Sequence, residues 1–263
     1  MDLGLAGKVA MVAAASKGLG YGIAEALAQE GAKVSIGSRT EADIKSAAQK
    51  LHEETSAETL GLVMDATDPQ SIKDWAAATV DHFGGVDILV VNAGGPPAGN
   101  FVNFDDDVWQ MAFNLTLMSS VRMVRAVLPS MKERGGGSIL SVTASSIKEP
   151  IDILLLSNVM RSGVASLMKS LSKELAPDHI RVNNLVPGRI DTDRVRSLDE
   201  YSAQKQGTSV ADVKAKSEAG IPLGRYGTIQ DFGKAAAFLL SDAASYVTGE
   251  TFIVDGGTMH TVW

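Results

Sequence analysis

The chain runs to 263 residues with a formal net charge of −7 and no cysteine. A length of this order closes a full hydrophobic core without covalent staples, and an acidic balance with no basic run argues against a nucleic-acid partner. The missing thiols exclude disulfides, thiolate metal sites and a cysteine nucleophile.

In chain order, Val9–Ala14 reads as the first strand. Gly20–Glu30 follows as a helix, with Ile23, Ala26 and Leu27 on one face and Gly31 just past its end. Lys33–Gly37 is the second strand, Glu41–Glu54 a helix, Thr59–Asp65 a strand and Ile72–His82 a helix. Ile88–Val91 is short and wholly apolar, as in a parallel sheet covered on both faces. A long helix is predicted from about Asp106 to Arg134, and Asp105, Asp106 and Asp107 suit its N-terminal dipole better than a metal. Ser138–Val142 is a strand, Ser157–Ala176 a helix, Arg181–Val186 a strand, Thr228–Leu240 a helix and Thr251–Val254 the last strand.

This alternation predicts the α/β class: one Rossmann-type doubly wound domain over residues 1–263, with a seven-stranded parallel sheet. Ligands in such sheets sit at the C-terminal strand ends, where strand order reverses. Pro187 to about Gly224 reads as an irregular, charge-rich stretch, expected to form a lid or substrate loop.

The first strand runs into Ala14-Ala15-Ser16-Lys17-Gly18-Leu19-Gly20, and a helix follows. Glycines in that setting let backbone amides approach a diphosphate at a helix N-terminus. The second strand ends in Ser38 and Arg39, where a fold of this kind selecting NAD(H) places a carboxylate. Arg39, with Lys17, can pair with a 2′-phosphate. The expected cofactor is therefore NADP(H) rather than NAD(H); alternatively, both cations are solvated surface charges.

Over nearly its whole length the sequence resembles the short-chain dehydrogenase/reductase family. The glycine turn is similar to the family's, with Ala14 where the first Gly stands. Asp65, with Ala66 after it, resembles the acidic residue that contacts the adenine. Asn92-Ala93-Gly94 matches the motif after strand four, and Asn114 the structural, proton-relaying Asn. Pro187-Gly188, with Ile190, matches the turn after strand six, and Val254-Asp255-Gly256-Gly257 the C-terminal end. The resemblance implies that these residues frame a dinucleotide.

The resemblance breaks at the chemistry. The family's Tyr, its Lys one helical turn later and its Ser after strand five fall on Ser157, Arg161 and Ala144. Lys148-Glu149-Pro150 and Leu156-Ser157-Asn158 resemble a β-ketoacyl-carrier-protein-reductase-like subgroup that also lacks the Tyr. A serine hydroxyl is a weaker acid than a phenol, and Arg stays protonated. Arg161 can still hold ribose hydroxyls or stabilise an oxyanion. Asn114, Ser145, Ser157 and Arg161 are the catalytic candidates, with Thr143, Ser146, Lys148 and Asp152 as spares. Arg189, Arg194 and Arg196 in the lid either meet an anionic substrate or form surface ion pairs.

The expected activity is an NADP(H)-dependent reduction of a carbonyl or activated alkene, in a small or carrier-linked substrate. The alternatives are a catalytically silent NADP(H)-binding sensor or scaffold, and a non-redox lyase or epimerase. His52, His82, His179 and His260 do not fall at metal-ligand spacing, so no metal is expected. Without a leader pattern at Met1 to Gly7 or an apolar run of ~18 residues, a cytoplasmic protein with no membrane contact is expected. The resemblance implies a homodimer or homotetramer, paired through Met111–Met131, Ser157–Ala176 and the last strand.

Overall fold

A computed structural model describes residues 2–261. Its centre is a seven-stranded, wholly parallel sheet in the order β3-β2-β1-β4-β5-β6-β7. The strands are β1 Val9–Ala13, β2 Lys33–Ser38, β3 Thr59–Val63, β4 Ile88–Val91, β5 Gly137–Val142, β6 Ile180–Pro187 and β7 Thr251–Val254. The order reverses between β1 and β4, which opens a crevice at their C-terminal ends.

The period-two pattern of each central strand divides its side chains between two cores. Ala10 and Val12 of β1, with Ile88 and Val90 of β4, join one cluster; Met11, Ala13, Leu89 and Val91 join the other. The first is covered by α1 (Gly18–Gln29), α2 (Glu41–Thr55) and α9 (Ile229–Leu240), through Ile23, Leu27, Ile44, Leu51 and Phe232. The second is covered by α3 (Pro69–Phe83), α5 (Ser119–Glu133) and α6 (Leu155–Glu174), through Trp75, Met123, Met131, Val164 and Met168. Burying one such side chain stabilises the fold by roughly 1.5–3 kcal/mol. The buried polar atoms near Trp75 form a closed relay. Its Nε1 donates to Ser35 Oγ at 3.0 Å, Ser35 pairs with Thr79 Oγ1 at 2.8 Å, and Thr79 donates to Trp75 O at 2.8 Å.

Two segments differ from the sequence expectation. The helix foreseen over 106–134 is α4 (Asp106–Ala112), a π-helical segment Phe113–Met118, and α5. The widened turn meets α6 at Gly163, where an added Cβ would lie 3.2 Å from Leu117 Cδ2. Apolar periodicity alone does not separate a π turn from an α turn. The stretch 187–224 is not irregular: it carries α7 (Asp193–Gln206) and α8 (Val210–Ala219), started by Thr192 and Ser209 as side-chain caps. Only Asp199 and Ala203 of α7 and Val213 of α8 are buried, so neither helix has the apolar stripe that reveals a helix in sequence. Asp105 caps α4 by accepting from Val108 N, as its place before a helix required. Leu156, Met160 and Met168, in and beside the helix expected at the subunit interface, are buried within the chain itself.

Candidate functional site

The glycine turn is shaped for close backbone approach. Ala14 is held at φ 49°, and Gly18 at φ 63°. A Cβ on Gly20 would stand 2.5 Å from Ala14 O, so only glycine fits there. Lys17 occupies the N-cap of α1 in extended conformation without capping through its side chain. The first amides of α1 are thus free of a side-chain acceptor, as an anion site needs. Asn92 Nδ2, after β4, donates to Ala14 O at 3.5 Å and ties the two strand ends together.

From this turn a cleft of about 560 Å3 runs across the ends of β1, β4, β5 and β6. Of the residues singled out in sequence, Ala14, Lys17, Gly18, Leu19, Gly20, Asn92, Ala93, Gly94, Ser157, Arg161, Pro187, Gly188 and Ile190 line it. Ala144 and the Thr143 segment also line it, whereas Lys148, Asp152 and Ser145 do not. Ser145 instead opens a 3-10 turn, Ser145–Ile147, and its carbonyl accepts from the amides of Lys148 and Glu149. Ser16 also lies off the cleft wall, half-buried in the turn.

Arg161 is pinned to the floor by its own strand neighbours. Its Nη1 donates to Val142 O at 2.9 Å and Thr143 O at 3.3 Å. Burial, helped by the charge of Arg194, pushes its pKa down to about 10, so it remains a cation at neutral pH. Ser157 lies one helical turn earlier on α6 and is buried against the same cleft. A fixed cation beside a hydroxyl can hold and polarise an oxygen; it does not supply the mobile proton that a phenol would.

Asn114 is not on the cleft wall. It lies in the π segment, and its Oδ1 accepts from Arg122 Nη2 at 3.2 Å while Arg122 Nη1 donates to Thr67 O at 3.3 Å. The clamp joins the segment after β3 to the widened turn, and sequence reasoning missed Arg122. The residues proposed for the adenosine end cluster on the neighbouring strand ends. Ser38 pairs with Val63 in register, its Oγ is buried without a partner, and Arg39 beside it is exposed. Asp65 Oδ1 accepts from Thr67 N and Thr67 Oγ1, both at 2.8 Å, and Ala66 is buried next to it.

One cleft residue, Thr192, was also missed, while Arg194, singled out in sequence for an anionic substrate, does line the cleft. Thr192 caps α7 and lies over the glycine turn, 3.7 Å from where a Gly18 Cβ would stand. Arg194 borders Gly95 at the cleft mouth. The cap signal Thr192-Asp193 was readable; its position over the turn was not. Among the described residues no cluster of His, Asp and Glu could hold a metal ion, and no helix is long and apolar enough to cross a membrane.

A family model described as Enoyl-(Acyl carrier protein) reductase matches residues 13–259. With this match, the parallel sheet and the turn-bordered cleft, the chain belongs to the short-chain dehydrogenase/reductase family. It is 36% identical over 255 residues to dehydrogenase/reductase SDR family member 4 of Sus scrofa, covering 97% of this chain and 88% of that protein. It is 35% identical to the 3-oxoacyl-[acyl-carrier-protein] reductase FabG of Vibrio cholerae, covering 97% and 98%. Among solved structures, L-sorbose reductase from Gluconobacter frateurii, complexed with NADPH and L-sorbose, superposes with a TM-score of 0.95 at 30% identity over 100% of both chains.

Proposed function

We propose that this chain is an NADP(H)-dependent oxidoreductase with a non-standard active site, reducing a carbonyl or activated alkene in a small or carrier-linked substrate. The observation that carries the reading is one continuous cleft joining the glycine turn to Ser157 and Arg161. The residues fit the cofactor: amides of 16–20 for the diphosphate, the unpartnered Ser38 hydroxyl and exposed Arg39 for a phosphorylated ribose, and Arg161 for the second ribose. Asp65 and Ala66 border the adenine, and Asn92, Ala93, Gly94, Pro187, Gly188 and Ile190 frame the nicotinamide half. When bound, the dinucleotide supplies the hydride.

The chain's own part is electrostatic. Ser157 orients the substrate oxygen, and Arg161 stabilises the negative charge that develops there, an effect worth roughly 10²–10³ in rate. Asn114 and Arg122 hold the helix bend behind this floor. Ser145 stays a candidate donor only if its 3-10 turn re-forms. No side chain of the cleft floor supplies a mobile proton near neutrality, so water delivers it to the product oxygen or carbon.

The test is NADPH titration by fluorescence, followed by turnover against a panel of carbonyls and enones. Arg161→Ala is expected to lower kcat by roughly 10²–10³, and the rate to stay flat between about pH 6 and 9 because no side-chain acid titrates. Activity surviving both Ser157→Ala and Arg161→Ala would remove the assignment. NADPH binding without turnover of any member would favour a silent sensor. A homodimer or homotetramer, with exposed Met111, Val159 and Phe252 on the expected faces, completes the reading and is checked by light scattering.

A further inference from the structure

The cleft holds more positive charge than its own carboxylates balance, although the whole chain carries −7. Two acids line it, Asp191 and Asp193. Asp191 is taken by Arg196 at 2.9 Å, and Asp193 by Lys17 at 2.8 Å and Arg196 at 3.4 Å. The third lid arginine, Arg189, is spent on Asp199 at 2.6 Å, and Asp199 also accepts from Tyr226 OH at 2.9 Å. Arg161 and Arg194 remain: among the described residues neither guanidinium has a carboxylate partner, and both line the cleft.

Their placement differs. Arg161 is fixed at the floor by two backbone carbonyls. Arg194 is exposed at the mouth, its Nη2 beside Gly95 and 3.6 Å from where a Cβ on that glycine would stand. Burial is the main cause of the lowered pKa of Arg161, and the like charge of Arg194 adds to it, in keeping with both guanidiniums facing one cleft. Two like charges in one partly desolvated cleft oppose each other until an anion enters between them.

Resting on the reductase reading above, we infer that the substrate is an oxo acid: Arg194 takes its carboxylate, while Arg161 and Ser157 take the reacting oxygen. A guanidinium binds a carboxylate through two parallel hydrogen bonds, which fixes the carbonyl's orientation as well as its presence. The competing anion for Arg194 is the cofactor's diphosphate, which the turn amides and the N-terminus of α1 already serve.

The experiment uses the full chain. NADPH affinity is measured first; then the NADP+-loaded protein is titrated by calorimetry with pyruvate, benzoylformate and levulinate, each beside its methyl ester. At least one acid is expected to bind about tenfold or more tightly than its ester. Arg194→Gln is expected to bring that ratio below about threefold, with the NADPH affinity changed by less than about threefold. Equal binding of acids and esters, or binding of no acid, overturns the inference. So does an Arg194→Gln protein that keeps the acid preference and loses NADPH affinity instead, which would give the guanidinium to the diphosphate. A wild-type protein that fails the first titration strikes the cofactor reading itself and is told apart before any acid is added.

Discussion

Lys17 Nζ lies 2.8 Å from Asp193 Oδ2, so the glycine turn and the first turn of α7 are held together across 176 residues of chain. Both partners are exposed, so the pair adds little to stability and serves as a weak tether. Each holds the other's charge: the Asp193 hydrogen bond raises the Lys17 pKa, and Lys17 lowers that of Asp193. On the proposed reading, a diphosphate on the turn would compete with Asp193 for the same ammonium. Asp193→Asn is therefore expected to tighten NADPH by about two- to threefold at low salt, with the gain vanishing near 1 M salt. A several-fold loss of affinity in a fluorescence titration would make the carboxylate part of the site rather than a competitor.

Arg39 follows the unpartnered Ser38 at the end of β2. A charge-assisted hydrogen bond to phosphate is worth about 1.5–3 kcal/mol. Arg39→Ala should then weaken NADPH by roughly 10-fold or more and leave NADH within about twofold. Equal losses for the two nucleotides would end the 2′-phosphate argument.

Ala14 sits at φ 49°, a conformation that costs an alanine about 1–2 kcal/mol. Glycine relieves the strain but loses more chain entropy on folding, by roughly 0.5–1 kcal/mol. Ala14→Gly is expected to raise Tm by about 1–4 °C in a thermal melt. A fall in Tm would show that the methyl group packs better than its backbone suggests.

Asp231 closes the capping box of α9 with Thr228 and pairs with Arg225 at 2.8 Å. The Arg225 hydrogen bond, then the Thr228 amide, lowers its pKa from 3.8 to about 2. A folded-state pKa below the unfolded one gives stability that is present above the unfolded value and lost as pH falls toward 2. Asp231→Asn should cost about 1 kcal/mol, near 2–4 °C in Tm, at pH 7. The gap between the two proteins should close as the melts are taken from about pH 5 toward pH 2. A gap that persists at the acid end would place the effect in shape rather than charge.

The strands were legible because their signals are local: apolar runs such as Ile88–Val91 begin and end as the sequence indicates. Thr59–Asp65 stops short at Val63, as Asp65 turns back to accept from Thr67. The helices α7 and α8 were not legible, since a helix lying on the surface with one or two buried residues leaves no apolar period to read. The π segment at Asn114 was hidden for a related reason, because one extra residue in a turn changes packing and leaves composition unchanged.

By itself the sequence determined the alternation of strands and helices and the glycine turn, and it set the expectation that Ser157, Arg161 and Ala144 stand where the family has its Tyr, Lys and Ser. These depend on residue identity and short spacing. Only the tertiary structure decided that Arg189 and Arg196 are neutralised, that Arg194 has no carboxylate partner among the described residues, and that Asn114 answers to Arg122. Charge pairing is a property of distance in space, and the chain brings those partners together only after the sheet, α7 and the helix bend have formed.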